Sequence, residues 1–149
     1  MYDPEWRPLE SDAELGAIGA GLIAHTLPKP RWKHEAHLAA AAWIIAARPD
    51  LDAARDMPGI IRAYNTAMGT PNSDTRGYHE TITQASLRGI RAFLAAQPGG
   101  VALYEQVNRL IASPLGSKTW PLEHWSEAVL FSPAARAGWI APDKAPLPF

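Results

Sequence analysis

From His34 to Arg48 the chain reads HEAHLAAAAWIIAAR, and Pro49 follows at once. Seven alanines together with Leu38, Trp43, Ile44 and Ile45 leave no polar stripe beyond the first turn of this segment. Alanine and leucine are the strongest helix formers, so the stretch predicts a helix over about 32–48 that other elements must enclose on every side. It is too short to span a bilayer. Strand-length runs of β-branched residues are missing from the chain, and its periodic segments are set off by proline and glycine. These features predict an all-α fold, a compact bundle of about five main helices with short C-terminal ones. At 149 residues the chain reads as one domain, 1–149, with its part 114–149 irregular and packed over the bundle.

The remaining helices follow from their punctuation. Ser11-Asp12-Ala13-Glu14 is a capping box that opens a first helix, and Pro28 and Pro30 end it. His25, at its end, reads as a cation on the negative helix terminus. A third helix, about 50–68, carries Pro58-Gly59, which predicts a break and restart, and Gly69 supplies its C-cap. TPNSDTRG reads as a loop. A fourth helix is expected over about 77–97, with Ile82, Ser86, Ile90 and Phe93 on one face, and a fifth over about 101–113. SEAVLF and SPAARAGW each read as a short helix opened by a serine, and PDKAPLPF as an extended tail.

A net charge of -1 argues against a protein that lives on nucleic-acid phosphates or acidic lipid, so neither nucleic acid nor membrane is expected as a partner. Without cysteine there is no disulfide, thiolate metal site or thiol nucleophile. The opening MYDPEWRPLESD has no basic start followed by an apolar run, which predicts a soluble, cytoplasmic protein without a secretory signal. GxSxG, a glycine-rich phosphate loop and HExxH are all missing.

Histidine carries the chemical interest. His34 and His37 are three apart and share a helical face that continues into the apolar stripe. In GYHET, His79 falls on the stripe of Ile82, Ser86 and Ile90, with Glu80 beside it. In an up-and-down bundle the second and fourth helices run the same way, so these first turns meet at one end. His34, His37 and His79, with Glu80 as a fourth donor, then suit an open site for Zn, Fe, Cu or Ni. Glu80 and Tyr78 are the expected proton-handling groups, and Glu80 can instead orient a histidine. Taken one at a time, a histidine on an apolar helix face is usually a hydrogen-bonded part of the core.

Trp32, Thr83, Arg76 and His124 are the candidate substrate contacts, with Trp125 also expected near the pocket. Tyr64, Asn65, Ser86 and Arg136 are weaker candidates, each with an ordinary structural role available. The expected function is a small metal-dependent enzyme acting on a small polar molecule, by metal-bound water, Lewis-acid or oxygen-dependent chemistry. The alternative is a metal-free helical protein that binds a small ligand or partner helix through Trp32, Trp43 and Tyr78. A homodimer formed through the apolar second helix is compatible with both.

WKHEAHLAAAAW and YNTAMGTPNSDTRGYHETIT resemble a group of small bacterial all-helical proteins marked by W-x-H-x-x-H-L and G-Y-H-E-T-I-T strings. The likeness runs from TLPKPRW to SPAARAGWIAPD, and Lys33 stands where threonine is common in the group. It implies a discrete site at His34, His37, His79 and Glu80 and implies no particular reaction. A looser architectural likeness is to DinB-type bundles, which hold a metal with three histidines at a different spacing.

Overall fold

The computed structural model describes residues 5–149, which contain helices and no strand. The main helices are α1 (Asp12–Ala24), α2 (His34–Ala47), α3 (Ala53–Ala67), α4 (Glu80–Ala95) and α5 (Leu103–Ala112). Two short ones follow, α6 (Glu127–Leu130) and α7 (Pro133–Ala137), and single 3-10 turns occupy Lys29–Arg31, Pro114–Gly116 and Trp120–Glu123. No helix is long and apolar enough to cross a membrane among the described residues.

α2 is the central element and touches α1, α3, α4 and α5. Its Ala36, Leu38 to Ala42 and Ile44 are buried, so its apolar surface is used inside the chain. α1 and α2 approach closely because α1 has glycine where α2 brings its indole. A Cβ on Gly19 would lie 2.1 Å from the Trp43 ring. Trp43 thus belongs to the α1–α2 contact and lines no ligand pocket with Trp32.

The capping box forms with a shift of one residue. Ser11 Oγ accepts from Glu14 N–H at 3.1 Å, while Glu14 reaches back to the Glu10 N–H at 2.9 Å. α1 ends at His25, whose backbone takes the left-handed conformation at φ 61°. Ala102 has no capping side chain for α5, and Asp12 of α1 accepts from the Tyr104 N–H instead. Asn108 clasps the entering chain by two bonds to Leu9, 2.8 and 2.9 Å long.

α3 runs through Pro58 without the expected break. Proline removes the N–H that would bond the carbonyl of Ala54. Gln84 of α4 fills that vacancy, donating to the Ala54 carbonyl at 2.9 Å. The C-terminal segment packs on α4 through Thr81, which is fully buried. Its hydroxyl donates to the Gly138 carbonyl and accepts from the Ile140 N–H. α6 and α7 open at Ser126 and Ser132, as the sequence predicts.

Candidate functional site

α4 begins later than its periodicity suggests, and this sets the geometry of the site. His79 is the N-cap of α4, in extended conformation, and is not a member of its apolar stripe. Its Nδ1 accepts from the Ile82 N–H at 3.1 Å, the part usually taken by a serine or aspartate. Its Nε2 donates to the Leu130 carbonyl at 2.7 Å. Both nitrogens are thereby committed, and the ring is fixed as the neutral tautomer with its proton on Nε2. Burial lowers its pKa; the Leu130 bond opposes this and Arg136 adds to it.

The loop before His79 is held by one side chain. Asn72 Oδ1 accepts from Asn65 Nδ2 and from the Tyr78 N–H, and Asn72 Nδ2 donates to the Arg62 carbonyl. The turn closes at Gly77, where φ is +81° and a Cβ would lie 2.3 Å from the Pro71 carbonyl oxygen. Arg136 then ties α7 to the carbonyls of Gly77 and Tyr78.

Between this loop and the starts of α2 and α4 opens a cleft of about 380 Å³, walled by Trp32, His37, Tyr64, Asn65, Tyr78 and His79, with Thr83 at its side. The first turns of α2 and α4 do meet, as the topology argument expects. Trp32 stacks on His37 with ring centroids 3.6 Å apart and meets Tyr64 edge-on at 5.3 Å. Tyr64 is anchored by donating its hydroxyl to the Leu27 carbonyl. A smaller cavity of about 70 Å³ adjoins this cleft, and His34 and His37 both line it with Ser86. His34 donates from Nε2 to the Leu115 carbonyl at 2.9 Å, and burial lowers its pKa despite that bond.

His37 differs from the other two. Neither of its ring nitrogens has a hydrogen-bond partner among the described residues, and its side chain is exposed to solvent through the cleft. Desolvation lowers its pKa well below 6.5, and the neighbouring His34 lowers it further. The ring is neutral at physiological pH, with one donor and one acceptor presented to whatever enters.

The other expected contributors separate. Tyr78 lines the cleft, but its hydroxyl donates to Glu80 at 2.5 Å, and burial with that carboxylate raises its pKa. Glu80 also accepts from Gln84 and is not among the cleft's wall residues. Among the described residues no three His, Asp or Glu side chains are gathered as a metal-holding group. With His79 committed at both nitrogens and Glu80 bonded elsewhere, the four-residue donor set expected from sequence does not assemble in this arrangement.

Arg76 lies exposed in the loop. His124 is far along the fold: its Nδ1 bonds the Pro146 and Ala145 carbonyls of the tail, and its ring stands edge-on to Trp120 and Trp125. Trp125 is fully buried, donates to the Ile140 carbonyl and packs against Trp139. None of these three lines the cleft, and residues 114–149 reach its walls through the Leu130 bond to His79 and the Arg136 bond to Tyr78. Tyr64 and Asn65, weaker candidates by sequence, are wall residues. A roomier groove of about 470 Å³ between Trp6, Pro8 and the end of α5 has no titratable side chain on its walls. No family model, curated protein or solved structure matches the chain.

Proposed function

We propose that the protein binds a small molecule in the cleft at the starts of α2 and α4, with His37 as its central polar contact. One observation carries this reading: His37 is the cleft imidazole with both nitrogens unbonded among the described residues, stacked on an indole in the wall of an opening about 380 Å³ in volume. That volume lies in the range of small-molecule sites, and the mixture of aromatic walls with a few convergent polar groups is their usual chemistry. Desolvation that lowers the His37 pKa weakens it as a proton acceptor, and burial that raises the Tyr78 pKa holds its proton in place. His37 and Tyr78 are therefore better suited to recognition by hydrogen bonding than to proton abstraction. The test is ligand-observed NMR with a library of aromatic fragments, repeated on Trp32→Ala and His37→Ala. Hits lost with either variant support the reading. No hits at millimolar concentration, or hits indifferent to both variants, refute it.

A metal-dependent enzyme is the second reading, and one feature favours it. His34 and His37 line the same 70 Å³ cavity, and His34 keeps Nδ1 free of protein hydrogen bonds among the described residues. An ion there would take those two imidazoles and complete its shell with water or substrate; Zn, Fe, Cu and Ni all accept such donors. His79 could join only by giving up the α4 cap. Elemental analysis after purification without an affinity tag decides: near-stoichiometric metal, lost in His37→Ala, supports this reading. Less than about a tenth of an equivalent removes it.

A further inference from the structure

We infer that the cleft selects a small anion with a planar apolar body, of the aryl carboxylate class. This specifies the ligand of the binding reading above and rests on it.

The cleft walls include one ammonium, Lys29, and no aspartate or glutamate. Lys29 is exposed and forms no ion pair among the described residues. Behind the Tyr78 wall the Arg62 guanidinium lies over the tyrosine ring, 4.5 Å from its centroid. Arg136 approaches the same wall from the other side, donating to the Gly77 and Tyr78 carbonyls at 3.1 and 3.4 Å. Glu80, the carboxylate adjoining this wall, is already occupied by the Tyr78 hydroxyl and the Gln84 amide. Lys29 on the wall, with Arg62 and Arg136 held against Tyr78 and no carboxylate lining the cleft, favours anions over amines there.

Shape supplies the second half. Trp32, backed edge-on by the fully buried Tyr64, forms an apolar wall continued by the half-buried Met68 and Ile82. A flat ring seated there buries apolar area against them, which aliphatic polyols cannot do. The polar end is then left toward Lys29 and the free His37 imidazole, which can donate one N–H to a carboxylate oxygen. The cavity lies near the small end of the range for ligand sites, so a mono- or bicyclic acid suits it.

The test is calorimetric titration of the full chain with 2-naphthoate, 2-naphthamide and 2-naphthylmethylamine at low ionic strength. These share a ring and differ in charge. The carboxylate should bind about fivefold more tightly than the amide, the value of one partly screened charge pair, and the amine most weakly. In Lys29→Gln, or in about 1 M salt, the preference should fall below twofold. An amide that binds as well as the acid, an amine that binds best, or a preference retained in Lys29→Gln would overturn the charge inference and leave the cleft reading in place. Failure of all three at millimolar concentration, or binding unchanged in Trp32→Ala, would overturn both.

Discussion

Replacing His79 with alanine removes two bonds at once, and their sizes can be worked out separately. The ring's Nδ1 caps the Ile82 N–H of α4, and loss of an N-cap costs about 1 kcal/mol. Its Nε2 satisfies the Leu130 carbonyl, on a ring only 8% exposed, and stranding such an acceptor costs about 1–3 kcal/mol. Together His79→Ala should lower unfolding free energy by about 2–4 kcal/mol in urea titrations. His79→Asn separates the two parts. Asparagine is a good N-cap but too short to reach Leu130, so about 1 kcal/mol should return. Both losses should be the same with and without a chelator, because they arise from hydrogen bonds to the backbone. An alanine variant within about 0.5 kcal/mol of the parent, or a loss that appears only when metal is present, would refute the capping account.

Further expectations follow from the same contacts. The pKa values of His34, His37 and His79 are all lowered by folding, so the unfolded chain binds protons that the folded chain refuses. Stability should be fully present above the unfolded value near 6.5 and be lost progressively as pH falls below it; a melting temperature flat from pH 7 to 5 would contradict this. Gly19→Ala drives a methyl into the Trp43 ring and should cost about 1–3 kcal/mol by thermal or urea unfolding, despite alanine's better helix propensity. Gly77→Ala should weaken any cleft ligand more than tenfold, read by calorimetry, because φ of +81° and the Pro71 carbonyl leave no room for a Cβ.

Much of the fold could be read locally. α2 announces its central place by being apolar all round, and Ser11, Ser126 and Ser132 mark helix starts by the ordinary capping chemistry of a hydroxyl. His79 shows where such reading stops. A residue three before Ile82 lies in register with the stripe whether it is inside the helix or caps it, so periodicity cannot separate the two roles. Pro58 shows the same limit across distance: the group that accommodates it, Gln84, is on another helix. His124 and Trp125 looked available because their partners, the tail carbonyls and Trp139, reach them only through the path of the tail. The sequence indicated that α2 and α4 bring histidines together. Which of them is free depended on backbone carbonyls of Leu115 and Leu130, which no side-chain pattern reveals.

His37 has both ring nitrogens open among the described residues, His34 has one of its two bonded to a backbone carbonyl, and His79 has both committed. Diethylpyrocarbonate modification at neutral pH, mapped by peptide mass spectrometry, reads this directly, since the reagent requires a neutral and accessible imidazole nitrogen. His37 should be carbethoxylated rapidly while His79, buried and bonded at both nitrogens, stays unmodified in the folded chain. A protected His37, or a His79 that reacts as fast as His37, would contradict the assignment.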